Sequence, residues 1–344
     1  MTAQPTSNLT ETGATKRVTN SQRMAMPEGP SIIGDVLQEP LLRGRDVTGI
    51  EHLTAEELLL ILDVARRLKL SKFDATQTLF AKGQTLAMLF EKPSLRTRVT
   101  FEAGMTQLGG NAIYLEGQLG IRESISDIGL NLERWVDGIM ARVFDHETII
   151  GLAANANVPV INGLSDQEHP CQALADFQTL MEHKGTYKGQ KLAYVGDSNN
   201  VSNSLMLMAA TLGTDFSLAC PANYQPNASV WLKAMKRAEQ SGCKLMLTHD
   251  PIEAVTDADA VYTDVWTSMG QEAESEKREK AFASFQVNAT LMSHAKKNAI
   301  VMHCLPAHRG LEISAEVIDG PQSVVFDQAE NRLHAQKAIL SLVL

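Results

Sequence analysis

Two hydroxyl side chains and two guanidinium groups stand almost together in the segment EKPSLRTRVTFE, as Ser94, Arg96, Thr97 and Arg98. They follow the apolar run Leu86 to Phe90, which has the length of a buried strand, and a helix is expected to begin near Ser94. A helix start offers unpaired N–H groups and the positive end of the dipole, so it favours an anion. The hydroxyls add donors, the guanidinium forks suit a phosphate or carboxylate, and the backbone N–H of Leu95 needs no side chain to take part. The plainer alternative is a helix cap with two solvated arginines in surface ion pairs. Position after a buried strand favours a ligand, because open α/β sheets bind ligands outside the carboxyl ends of their strands.

Further candidates follow apolar segments in the same manner. Arg142 comes after GIMA. In SDQEHPCQALADFQTL, His169 and Gln172 stand at the start of a helix whose apolar face is Leu174, Phe177 and Leu180. Histidine can donate to a carbonyl oxygen and glutamine can both donate and accept, although a lone histidine there can equally be structural. Asp176 could be a structural partner for an arginine.

The second half continues the pattern with VGDSNNVSNS, which lacks the GxGxxG of a dinucleotide site. Its uncharged Asn199, Asn200 and Asn203 suit an amino-acid zwitterion better than a pyrophosphate. DVWTSMGQE ends an apolar run with Asp264, a carboxylate for an amine, and carries Ser268 four residues later. AIVMHCLPAHRG puts His303 and Cys304 at the end of a very apolar run. Cys304 is either a small buried hydrophobe or a thiol whose thiolate meets a substrate ammonium or takes its proton. HETII at His146 is not HExxH, no zinc interval of Cys or His occurs, and no Walker A pattern exists, so a small phosphorylated substrate is favoured over nucleotide or metal chemistry.

These side chains need a scaffold of strand ends, and the alternation of short apolar runs with helical patterns supplies one. Thr54 and Glu57 make a capping box ahead of Leu58, Ile61, Leu62, Ala65 and Leu68 at helical spacing. TLAMLF, NAIYL, GIMARVF and VPVING then alternate with helices, and a second series runs through KLAYVG, DFSLAC, KLMLTHD, AVYTDVW, AIVMHCLP and VVF. The expected fold is α/β, with two doubly wound parallel-sheet domains over 43–185 and 186–327. A last helix over 328–344 needs something to cover its apolar end. Residues 1–42, rich in Thr, Ser, Asn and Pro, read as a disordered extension outside the fold, with a transit peptide as the alternative.

The 344 residues carry 31 Lys+Arg against 40 Asp+Glu, a net charge of −9, and no dense basic stripe, so a nucleic-acid partner is not expected. Four widely spaced cysteines argue for a reducing compartment, and no apolar run approaches the roughly 20 residues of a membrane span. A soluble cytoplasmic protein is the expectation, with no membrane partner.

Taken in order, FEKPSLRTR, GQLGIRES, MARVF, HPCQALAD, GDSNNVSNS, DVWTSMG, HCLPAHRG and FDQAENR resemble the aspartate/ornithine carbamoyltransferase family, nearest its ornithine type. The resemblance spans Arg43 to Leu344. It implies an N-terminal carbamoyl-phosphate domain, a C-terminal amino-acid domain, and a last helix that returns to the first domain. It implies that Ser94, Leu95, Arg96, Thr97 and Arg142 hold the phosphate and that His169 and Gln172 hold the carbamoyl group. Gln118 matches a residue that reaches carbamoyl phosphate from a neighbouring subunit of a homotrimer. Asn200, Asp264, Ser268 and Met269 would bind ornithine, while Cys304, Leu305 and Arg332 line the reacting centre and Leu305–Pro306 is cis. Arg96, Arg142, His169, Asp264 and Cys304 would carry the catalysis, with no metal or organic cofactor. The implied reaction moves the carbamoyl group of carbamoyl phosphate to the δ-amino group of L-ornithine, giving L-citrulline and phosphate in arginine metabolism. One departure is Leu95, where ornithine enzymes usually carry threonine. It keeps open an N-acylornithine or putrescine acceptor; a catalytically silent regulatory homologue is the alternative outside the enzyme class.

Overall fold

The computed structural model describes residues 42–71, 79–267 and 272–344. The extension expected over 1–42 therefore lies, apart from Leu42, outside the described residues, as do Ser268 and Met269.

Helix α1 (Ala55–Leu70) starts at the anticipated capping box: Thr54 Oγ1 accepts from the N–H of Glu57, whose side chain accepts from the N–H of Thr54. Its Leu58, Ile61, Leu62, Ala65 and Leu68 are all buried. The chain then alternates strand and helix: β1 (Thr85–Phe90), α2 (Leu95–Gln107), β2 (Asn111–Glu116), α3 (Ile125–Leu132), β3 (Gly138–Arg142), α4 (His146–Asn155), β4 (Val160–Leu164) and α5 (Pro170–Lys184). The second half runs β5 (Lys191–Val195), α6 (Asn200–Leu212), β6 (Asp215–Ala219), α7 (Ala228–Ser241), β7 (Leu245–Thr248), α8 (Pro251–Val255), β8 (Ala260–Thr263), α9 (Ser275–Phe282), α10 (Ala289–Met292), β9 (Ile300–His303), α11 (Ala315–Ile318) and α12 (Val325–Val343).

Every strand pairing is parallel, as βα connections require. The first sheet has the order β2-β1-β3-β4 and the second β7-β6-β5-β8-β9. Strand order reverses between β1 and β3 in one sheet and between β5 and β8 in the other. Those two switch points are where connections leave in opposite directions and a crevice opens at the carboxyl ends.

Two expectations at the C-terminus are corrected. VVF is not a strand: Val325 and Phe326 open α12, and the helix starts three residues before Gln328. Ser323 makes only an isolated bridge to Val301. Helix α12 packs on α1, α2 and α5, and Ala335, Ala338, Ile339, Leu340, Leu342 and Val343 join one core with the apolar face of α1. This packing covers the apolar end of the chain. Among the described residues no helix is long and apolar enough to cross a membrane.

Candidate active site

The switch point of the first sheet carries the anion-binding features. Ser94 caps α2, its Oγ accepting from the N–H of Thr97 at 3.2 Å, so the helix start faces the end of β1. Arg142 ends the adjacent strand β3. A cleft of about 710 Å³ opens here, lined by Ser94, Leu95, Arg96, Thr97, Arg142, His169 and Gln172, and Arg332 reaches it from α12. Arg332 donates to Gln172 Oε1 at 2.6 Å and to Thr97 Oγ1 at 3.2 Å. Lys92 also lines this cleft, with its ammonium 4.6 Å from the centre of the Phe144 ring. A lone lysine ahead of the hydroxyl–arginine cluster offered no signal of its own in the sequence.

Among the described residues, Lys92, Arg96, Arg142 and Arg332 have no ion pair with a carboxylate. Burial, followed by the neighbouring guanidinium groups of Arg332 and Arg96, pushes Arg142 down to about 9. Burial and Arg142 push Lys92 down to about 8. His169 is held well below its usual range by burial and then by Arg332 and Arg142, so its imidazole is neutral. Arg142 Nε, Arg332 Nε and His169 Nδ1 are buried with no hydrogen-bond partner among the described residues. Uncompensated buried cations with orphaned donors cost several kcal/mol, a cost that a bound anion removes.

Arg98 is corrected. It turns out of the cleft, bonding Glu102 at 3.0 Å and lying 3.9 Å over the Tyr114 ring, so it takes the plainer reading of a surface ion pair. Leu95 is 75% exposed at the cleft edge, and loss of a hydroxyl there leaves the backbone N–H groups of the helix start in place.

The second sheet brings the opposite chemistry to the same cleft. Gly196, with φ +144°, carries the chain out of β5 into the turn before Asn199. The Asn199 side-chain oxygen caps α6 through the N–H groups of Val201 and Ser202, while its Nδ2 donates to Asp264 Oδ2 at 2.7 Å. Asp264 follows β8, and its Oδ1 accepts from the Cys304 thiol at 2.9 Å. Burial and the Asp264 carboxylate push the Cys304 thiol well above its usual range. The free protein therefore holds a thiol that donates, rather than the thiolate considered from the sequence. Leu305 has φ +56°, its N–H donates to His303 Nδ1 at 2.8 Å, and the Leu305–Pro306 bond is cis as the resemblance implied.

Asn200, Asp264, Cys304 and Leu305 all line the cleft with the anion-binding residues. Asn200 Nδ2 donates to the carbonyl of Ser165 at 2.6 Å, whereas Asn203 points to the carbonyl of Gln167. Gln118 is exposed on the loop after β2 and does not line this cleft. Asp176 bonds Gln172 and Gln328 instead of pairing directly with an arginine. Val265, Thr267 and His308 also line the cleft, from within the segments DVWTSMG and HCLPAHRG but not singled out there, and Ser275 lines it from outside every such segment.

Asp264, His303 and Cys304 bring ligand-type atoms within 4.8 Å of one another. Both His303 ring nitrogens are already engaged, by the Leu305 N–H and by Glu312 at 3.1 Å, and the Cys304 hydrogen lies on Asp264. This donor set is satisfied internally and does not present a free coordination face.

The two halves that contribute the cation cluster and the acid-held thiol correspond to two described domain families. Residues 45–182 match the family model described as aspartate/ornithine carbamoyltransferase, carbamoyl-P binding domain, and 188–343 match the corresponding Asp/Orn binding domain. The chain is 55% identical over 306 residues to ornithine carbamoyltransferase of Thermococcus kodakarensis, covering 88% of this chain and 97% of that protein. The structure of the Pyrococcus furiosus ornithine carbamoyltransferase superposes with a TM-score of 0.85 at 54% identity, over 88% of this chain and 97% of that one. An acetylornithine transcarbamylase complexed with acetylcitrulline is also similar, at 30% identity and a TM-score of 0.79 over 87% and 99% of the two chains. With both family models matched and the cleft built at their junction, the chain belongs to the aspartate/ornithine carbamoyltransferase family.

Proposed function

We propose that the protein transfers the carbamoyl group of carbamoyl phosphate to the δ-amino group of L-ornithine, releasing L-citrulline and phosphate, in the direction of arginine synthesis. The observation carrying this reading is the convergence of Lys92, Arg96, Arg142 and Arg332, without carboxylate partners among the described residues, on a cleft whose far wall is Asp264 and Cys304. The Pyrococcus furiosus relative, 54% identical, is named an anabolic ornithine carbamoyltransferase, which supports the direction.

In this reading Ser94, the Leu95 N–H, Arg96, Thr97 and Arg142 hold the phosphate. His169 and Arg332 direct donors to the carbonyl oxygen, and Gln172, whose NH₂ is held by Asp176, offers its oxygen to the carbamoyl NH₂. A neutral imidazole suits that task, since it donates without adding charge to the ground state. Asn200, Asp264, Ser268 and Met269 hold ornithine, and Asp264 with Cys304 positions its amine. The δ-ammonium loses one proton, its nitrogen attacks the carbonyl carbon, and the C–O bond to phosphate breaks as the arginines take up the leaving charge. The second proton leaves with phosphate. The donors that meet developing oxyanion charge each contribute about 3–4 kcal/mol.

The same reading assigns 43–185 to the carbamoyl donor and 186–327 to ornithine, with 328–344 returning to the first part. It also makes the protein a homotrimer in which Gln118 completes a neighbour's site. The support for a trimer is that Gln118 follows the edge strand β2, whose Ile113 and Leu115 are 41% and 43% exposed, and stands three residues before Ile121, which is 77% exposed. Four free cysteines suit a cytoplasmic location. Steady-state assays with ornithine, N-acetylornithine, putrescine and aspartate test the acceptor. Citrulline from ornithine alone supports the proposal, and preference for another acceptor moves the substrate while keeping carbamoyl transfer.

A further inference from the structure

The two walls of the cleft are joined by a chain of buried side chains that begins at its lining and runs behind it through Asp176 and Gln328, which do not line it. Arg332, bonded to Thr97, donates to Gln172 Oε1 at 2.6 Å. Gln172 Nε2 then donates to Asp176 Oδ1 at 2.7 Å. Gln328, one turn before Arg332 on α12, donates to the same Asp176 oxygen at 2.6 Å and also to the Tyr262 hydroxyl at 3.2 Å. The Gln328 oxygen accepts from the backbone N–H of His303 at 3.0 Å, the residue before Cys304. Gln172, Asp176, Gln328, Arg332 and His303 are each at most 2% exposed.

The polarity of this chain has one origin. An ionised carboxylate only accepts, so Asp176 compels both glutamines to turn their NH₂ groups toward it. Burial raises this carboxyl to about 7, and a proton carried on Oδ2 still leaves Oδ1 as the acceptor of both bonds. Gln172 must then present its oxygen to Arg332, and Gln328 must present its oxygen to His303. One buried carboxyl thereby orients the guanidinium on the carbamoyl side and the strand end on the amine side.

We infer that Asp176 and Gln328 are positioning residues for carbamoyl transfer, holding the Cys304 end of β9 in register with Gln172 and Arg332. This rests on the carbamoyl-transfer reading above. Attack requires the nitrogen and carbonyl carbon at about 3–3.5 Å, and a misplacement of about 1 Å costs roughly 10²-fold in rate. His303 passes the constraint on, because its Nδ1 holds the Leu305 N–H and its Nε2 is held by Glu312. Asp176 and Gln328 touch no substrate in this arrangement, so their loss acts on turnover and not on binding.

The test is Gln328→Glu, assayed in the full-length protein at pH 6 and pH 9. With one proton shared, the introduced carboxyl donates its O–H to Asp176 and accepts from His303, reproducing the native pattern. Without that proton two carboxylates face each other, with Arg332, Tyr262 and the His303–Glu312 pair as the other polar neighbours. Expected are a kcat within about threefold of wild type at pH 6 and at least about tenfold below wild type at pH 9, with both KM values within about threefold. Gln328→Met lowers kcat at both pH values. If Gln328→Met does not fold, the Gln328→Glu comparison stands alone, since one folded preparation is read at two pH values and its melting is followed alongside. A Gln328→Glu profile parallel to wild type overturns the inference, as does a loss confined to KM. Absence of product from wild type instead overturns the carbamoyl-transfer reading.

Discussion

The Cys304 thiol donates to the Asp264 carboxylate, with Sγ 2.9 Å from Oδ1. Burial and this carboxylate together keep the sulfur protonated. The pair therefore presents one shared hydrogen and one carboxylate face to an incoming amine, and the sulfur is not a free nucleophile.

Alkylation reports that state. Iodoacetamide is expected to modify Cys304 slowly in the free protein, because the thiolate is the reactive form. Asp264→Asn removes the adjacent negative charge and is expected to speed modification by about tenfold or more. Rates are followed by mass spectrometry of the Cys304 peptide. Equal rates in the two proteins contradict the assigned hydrogen bond.

Arg142 carries opposite consequences for stability and function. It is 5% exposed, has no hydrogen bond at Nε among the described residues, and shares its surroundings with Arg96 and Arg332. Arg142→Met is expected to raise the melting temperature of the ligand-free protein by a few degrees, since it removes a buried unpaired cation. Turnover should fall by about 10²-fold or more. Inorganic phosphate should raise the melting temperature of wild type and have much less effect on the variant.

Lys92 predicts a pH dependence for the carbamoyl donor. Burial and Arg142 lower its ammonium to about 8, so it loses charge as pH rises through that value. A bound dianion favours the protonated form, and affinity falls as the proton is lost. KM for carbamoyl phosphate should rise above about pH 8. Lys92→Met should start with a KM about tenfold higher at about pH 7 and show a flatter rise.

Glu168 predicts a pH dependence of stability. Its carboxylate accepts from the N–H groups of Ile50 and Glu51 and from the Ser204 hydroxyl, and a Cβ on Gly49 would collide with it. Burial raises this carboxyl from 4.5 to about 7 despite those bonds. Between the two values the folded chain keeps a proton that the unfolded chain has released. The favourable contribution is complete below about pH 4.5 and is lost as pH rises toward 7, on the order of 3 kcal/mol. Thermal melts at pH 5 and pH 8 should show a larger fall for wild type than for Glu168→Gln.

Much of the site was legible because its local chemistry is contiguous. Ser94 to Thr97 combine a cap with donors after an apolar run, and the alternation of runs and helices places Arg142, Asp264 and Cys304 at strand ends. What was hidden depends on side-chain direction. Nothing local distinguishes Arg96, which lines the cleft, from Arg98, which folds back over Tyr114. VVF has the composition of a strand, but tertiary packing of α12 on α1, α2 and α5 makes it a helix start. The Asp176–Gln328 bond joins residues separated by 152 positions, so no spacing rule announces it.

The most direct test of the central claim is transfer of labelled carbamoyl from carbamoyl phosphate to ornithine by purified protein, with Arg96→Ala in parallel. Labelled citrulline with one phosphate released per citrulline, lost in Arg96→Ala, is the predicted result. Phosphate release without citrulline, or equal citrulline from Arg96→Ala, contradicts it.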